Sequence, residues 1–211
     1  MFLSLLSFIL TAVFLFLSSQ ALLSRLCRLV KNINLIFFLL LPGIFLHEFS
    51  HILSAELLQV KTGALNLRPG LKDGHLTLGS AQIAPADPFR LTLIGTAPFI
   101  AGVAVLWLLI KFNPGGWWQI LFWYLEFTVA NTLFSSPSDL QSAGIPLILV
   151  LLLLGVFQLT NLNLPASLLP FLANSFSSLA SVFGYTLIIN LALLLSLKFL
   201  LQLKHDSTTG G

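Results

Sequence analysis

Charge is what this sequence has least of. Asp, Glu, Lys and Arg make up 8% of its 211 residues, against about 25% in soluble domains, which excludes a chain whose surface is mostly wetted. Cysteine is nearly absent too: Cys27 stands alone, so an internal disulfide and a Cys-rich metal cluster are both excluded. Cys27 itself reads as a small core- or lipid-facing residue. No basic stripe with interleaved aromatics appears among the ten scattered Lys and Arg. Nucleic acid is therefore not an expected partner despite a net charge of +3 and a pI near 9.3. These cations read as interfacial anchors. Neither a soluble domain nor an internal repeat is evident.

What the sequence has is apolar length. Hydrophobic residues make up 57% of it and the mean hydropathy is +0.98. Backbone in lipid must satisfy its own hydrogen bonds, and long apolar runs without period-two alternation select helices over barrels. The expected fold class is an all-α polytopic membrane protein, integral to a bacterial-type cell membrane, with lipid as its solvent and about six transmembrane segments.

The run Met1–Leu23 carries no charge before Arg25 and has no basic n-region, so it reads as a retained helix and not a signal peptide. Arg25, Arg28 and Lys31 follow; a short basic loop stays cytoplasmic, which puts the preceding end of the helix outside. A second span runs from about Ile33 to Leu58. Pro42 and Gly43 fall just ahead of its polar residues, where a kink would open space. Between Val60 and Pro88, alternation in Ala64–Leu67 and His75–Leu78 flanks a turn-rich Arg68–Gly74, which predicts a small β-hairpin at the membrane surface. A third span covers about Phe89–Ile110, with Gly95, Ala97, Ala101, Gly102 and Ala104 for close packing.

A fourth span begins at Trp117 in an aromatic belt. It breaks in the polar stretch Ser135–Gly144, which predicts a broken helix around Pro137–Asp139. Pro146–Leu159 is apolar again, Asn161–Pro170 is turn-rich, and a last span covers about Leu179–Leu203. The division is one membrane domain over 1–211, comprising an N-terminal helix and basic loop (1–32), a core (33–150), C-terminal helices (151–203) and a polar tail (204–211).

His47-Glu48-Phe49-Ser50-His51 has the His-Glu-x-x-His pattern, and helical periodicity puts the two imidazoles about 40° apart on one face, one turn from each other. Both can reach one metal. Glu48 is rotated by about 100° from His47, beside the ligands and not among them, where a general base belongs. Ionisable groups inside a span cost on the order of 2.5–3.5 kcal/mol each, so a cluster of them marks a functional site. Imidazole nitrogen with a carboxylate suits zinc.

A third ligand is needed. Glu56 lies about 180° around the helix from His47 and about 140° from His51, so it cannot share their metal. His75 and His205 sit in polar segments and read as solvated. Glu126 is a competitor, with a buried hydrogen-bonding carboxylate as its alternative role. Asp139 is the best candidate, because it stands in the non-helical interruption where a side chain can enter a shared cavity. Asn131 reads equally as an amide that positions an extended substrate and as a helix–helix hydrogen bond.

These residues resemble the site-2 protease family, the intramembrane zinc metalloproteases. That family pairs a His-Glu-x-x-His helix with a later Asn-x-x-Pro-x-Pro-x-x-Asp-Gly-like signature. Asn131, Pro137 and Asp139 keep part of it, while Phe134 and Leu140 stand where the family has Pro and Gly. The small-residue span and the β-like segment after the first motif fit the family's order over about Leu35–Val150. The resemblance implies that His47, His51 and Asp139 hold Zn2+ and that Glu48 is the base. This would be a minimal member without a PDZ domain. The expected function is zinc-dependent cleavage of a peptide bond in or near a transmembrane segment of a partner protein. The alternatives are a catalytically silent membrane scaffold and a metal or proton transporter. A base beside the ligands favours hydrolysis over transport, which needs none.

Overall fold

A computed structural model describes residues 2–30, 32–67, 70–72, 75–77, 79–133, 148, 152 and 168–209. Five helices dominate it, α1 (Phe2–Leu29), α2 (Ile33–Leu57), α3 (Pro88–Lys111), α4 (Trp118–Thr132) and α5 (Leu168–Thr209). Between α2 and α3 lie four short strands, β1 (Thr62–Asn66), β2 (Gly70–Lys72), β3 (His75–Thr77) and β4 (Ser80–Ile83). Among the described residues, four stretches are long and apolar enough to cross a membrane: Leu3–Cys27, Ile33–Leu57, Pro88–Lys111 and Leu168–Phe199. They match four of the expected spans. The broken helix expected around Pro137–Asp139 lies outside the described residues.

Local signals set the helix starts. The Asn32 side chain accepts from Asn34 N at 3.1 Å to cap α2, satisfying one of the donors that a helix start leaves open. Asp87 does the same for α3, accepting from Arg90 N at 3.1 Å, with Pro88 in the first turn. α5 differs from expectation: it is already helical at Leu168–Pro170, residues read as part of a turn, and it continues through the tail to Thr209. The polar run after Pro170 is used in packing, with Ser175 Oγ accepting from Trp107 Nε1 at 3.3 Å.

An antiparallel β arm is present, but its pairing differs from the expected one, in which Ala64–Leu67 faced His75–Leu78: a strand forms at Gly70–Lys72, inside the segment read as the turn. β1 pairs antiparallel with β4 and β2 with β3, in register Leu65 with Ala81 and Leu71 with Leu76. Its placement corrects the reading of a surface hairpin. It folds back along α2, so that Gly79 abuts Glu48 and Leu67 packs on the Ile36, Phe37, Leu40 and Ile44 cluster. Apolar residues on both sides of that contact explain why the arm stays against the helix.

Gly43 also departs from expectation. α2 is continuous through Pro42, and the face that Gly43 leaves bare is filled by the Thr128 carbonyl and the Thr132 hydroxyl of α4. The glycine brings two backbones together instead of opening space. In the same way, Gly102 of α3 receives Leu133.

The largest core cluster joins α1, α3, α4 and α5 around Leu15, Leu106, Val129 and Phe183. Beside it, polar side chains tie three helices. Asn131 Oδ1 accepts from Ser19 Oγ and from Asn190 Nδ2, both at 2.7 Å, and Asn190 is fully buried.

Candidate metal centre

The two faces of α2 divide its chemistry. Phe45 and Phe49 stack with ring centroids 5.6 Å apart on an outward face, 47% and 42% exposed. His47 and Glu48 turn inward at 4% and 6%. Apolar rings meet lipid and titratable groups meet protein, as the low dielectric of a membrane demands.

His47 and His51 are brought together. Their ring centroids are 5.0 Å apart and their planes cross at 81°. Two imidazoles sharing a tetrahedral zinc at Zn–N distances of about 2.0–2.1 Å would place their centroids about 5 Å apart, so the pair has a suitable separation. His51 Nδ1 lies 2.9 Å from the Ile94 carbonyl oxygen of α3. A carbonyl only accepts, so Nδ1 carries a proton, and in the neutral ring Nε2 then carries the lone pair. Metal-ligating histidines have this arrangement, a second ring nitrogen anchored to an acceptor that fixes tautomer and ring direction. Thus α3 fixes the ring of a histidine that α2 carries.

Glu48 is held from the other side by the hairpin. A Cβ built on Gly79 would lie 2.8 Å from Glu48 Cγ and 3.2 Å from its Oε1, so only a residue without a side chain lets the strand pass this close. A Gly79→Ala variant is therefore expected to push the Glu48 side chain aside. On the expectation of a zinc protease, zinc content should match wild type while peptide hydrolysis falls by about tenfold or more, in keeping with the cost of misplacing a reacting group by about 1 Å. Wild-type turnover in this variant would show that Gly79 does not position the carboxylate.

Other sequence candidates fall elsewhere. Glu56 is exposed and accepts from the Thr62 hydroxyl, away from the histidines as the helical angles required. Glu126 is buried, 9% exposed, and among the described residues no three His, Cys, Asp or Glu side chains are grouped as a metal site. Asn131 turns to Ser19 and Asn190, and its Nδ2 donates to the Phe127 carbonyl at 3.0 Å. These are the bonds of a helix–helix contact. Asp139 lies outside the described residues.

Sequence reasoning missed two contributors. Nothing in one-dimensional spacing marks Ile94, whose part is played by backbone. Gly79 could have been noticed as a glycine where the alternating hairpin pattern ends. In comparisons with known proteins, no family model matches the chain, and neither does any curated protein or solved structure.

Proposed function

We propose that this chain is a multi-pass, zinc-dependent intramembrane endopeptidase that hydrolyses a peptide bond in or near a transmembrane segment of a partner protein. The observation that carries the reading is the His47–His51 pair, with His51 Nδ1 anchored on the Ile94 carbonyl at 2.9 Å and a buried carboxylate, Glu48, on the next residue. Two neutral imidazoles fit zinc in donor type and spacing.

Asp139 is the proposed third ligand, and chain length supports it. α4 runs in the direction of α2: Tyr124 donates to the Leu39 carbonyl at 2.9 Å, and Thr128 and Thr132 meet Gly43. Gly43 is one turn, about 6 Å, from His47. The seven residues from Thr132 to Asp139 reach up to about 25 Å, which covers that distance amply.

Bound zinc supplies Lewis-acid polarisation of the scissile carbonyl and of water. The protein's own residues do the rest. Glu48 takes the proton from the attacking water at its carboxylate and returns it to the departing amine. The hairpin runs beside Glu48, and an unwound substrate segment would add to it as a further strand and be held extended.

The test is cleavage of a transmembrane model substrate by the purified protein in detergent or proteoliposomes. A chelator such as 1,10-phenanthroline should abolish cleavage, and added zinc should restore it. Cleavage that persists at full rate after the metal is stripped would refute the reading.

A further inference from the structure

Where α2 ends and α3 begins, the chain builds a small basic cavity. α2 closes in a turn in which Gln59 N donates to the Glu56 carbonyl at 3.0 Å and Val60 N to the Ala55 carbonyl at 2.8 Å. These are the paired bonds of a Schellman cap, and Gln59 takes its left-handed position at φ +56°. Glycine is the usual residue there, because a Cβ strains the left-handed backbone. Gln59 keeps its side chain all the same. From the other side, Ala84 N donates to the Lys61 carbonyl at 2.9 Å, and Val60, Ala84 and Ala86 pack with Ile94. Between the turn and the start of α3 lies a cavity of about 230 Å3, whose polar lining is Gln59, Lys61, Asp87 and Arg90.

The protein does not use up the cations of this cavity. Asp87 caps α3 through Arg90 N at 3.1 Å and pairs with Arg90 Nε at 3.2 Å, so both of its oxygens are committed. The two terminal nitrogens of the Arg90 guanidinium have no partner among the described residues, and neither has the Lys61 ammonium. Glu56, the other carboxylate at this junction, accepts from the Thr62 hydroxyl. α2 and α3 are both long and apolar enough to cross a membrane, so the junction between them lies at the level of the lipid headgroups. Leu57 and Phe89, near the ends of the two helices, are 77% and 72% exposed. Apolar surface just below a cationic cavity suits acyl chains beneath a headgroup.

We propose that this cavity holds the phosphate of an anionic phospholipid, with Lys61 and Arg90 on the phosphodiester oxygens, the Gln59 amide as a further donor, and the acyl chains along Leu57 and Phe89. Arginine presents paired planar donors that match phosphate, and lysine adds a compact charge. A headgroup with its own cation, such as that of phosphatidylcholine, would set a third positive charge beside Lys61 and Arg90 and is disfavoured. Free phosphate shares the anionic chemistry, but the apolar surface of Leu57 and Phe89 gives it nothing to bind. Neither a metal nor peptide hydrolysis enters this proposal.

Arg68 and Lys72 also fall between α2 and α3, so the test separates a built site from a diffuse basic surface. It is native mass spectrometry of the whole chain in detergent, titrated with phosphatidylglycerol and with phosphatidylcholine of the same acyl chains. One phosphatidylglycerol should bind in preference to phosphatidylcholine. Lys61→Gln and Arg90→Gln should each weaken it by about fivefold, the weight of one basic residue near a membrane surface, and together by about 30-fold. Gln59→Gly, which suits the backbone but removes the amide, should weaken it too. Lys72→Gln, and Lys111→Gln at the far end of α3, should bind as wild type does. Equal binding of the two lipids, wild-type affinity in the Lys61 and Arg90 variants, or an equal loss in either control would overturn the site. Wild-type affinity in Gln59→Gly would take the amide out of it, and inorganic phosphate binding as tightly as the lipid would overturn the lipid as its ligand.

Discussion

A Glu48→Gln variant is expected to lose peptide hydrolysis by about 10²–10⁴-fold, the usual weight of a general acid–base group, while keeping its metal. Glutamine has the shape of glutamate, so the packing of the side chain against Gly79 is preserved and the fold is not disturbed. What disappears is a carboxylate able to take a proton. The site is buried, so bulk water is a poor substitute for the lost base. The comparison to make is single-turnover cleavage together with zinc content, each against wild type. Loss of both would mean that Glu48 holds the metal or the fold; loss of neither would make the protein a scaffold whose glutamate has no chemical duty.

The second large effect is structural. A Gly43→Val variant should fail to bring α2 and α4 together, because even a Cβ at this position would overlap the Thr128 backbone carbonyl and the Thr132 hydroxyl. A backbone carbonyl inside a helix cannot swing away as a side chain can. Overpacking in a well-filled core costs typically about 1–3 kcal/mol and occasionally more, and Val adds two further carbons. The midpoint of thermal unfolding in detergent, followed by tryptophan fluorescence, should fall by several degrees or the folded yield should collapse. Gly43→Ala should show the same change in smaller degree. An unchanged midpoint in the Val variant would show that the two helices are not this close.

The same contact bears on the metal site. Thr132 at Gly43 anchors the chain seven residues before Asp139, one turn from His47. Separating the helices would withdraw the proposed third ligand as well as loosen the core.

Much of this was legible in the sequence, and the limits have physical causes. Apolar length alone placed α2 and α3 within a residue or so of their bounds, because lipid leaves the backbone few choices, whereas α1 runs six residues past the apolar stretch to Leu29 and takes in Arg25 and Arg28, which were read as loop. Helical periodicity paired His47 with His51 and separated Glu56 from them, since one helix carries all three. Relations between elements were less legible. Pro42–Gly43 reads as a kink in one dimension; the α4 threonines that occupy the glycine's bare face are 85 and more residues away. Alternation identified the hairpin without revealing that it folds back along α2, a direction set by the Gly79–Glu48 and Leu67 contacts. Asn131 had two readings, and its partners Ser19 and Asn190, on different helices, supply the helix–helix one.

The measurement that bears most directly on the central claim is the zinc content of detergent-purified protein, set beside that of His47→Ala. About one zinc per chain in the wild type, lost in His47→Ala and retained in Glu48→Gln, is the predicted result. Wild-type protein that holds no stoichiometric metal, even after zinc is added, would contradict it.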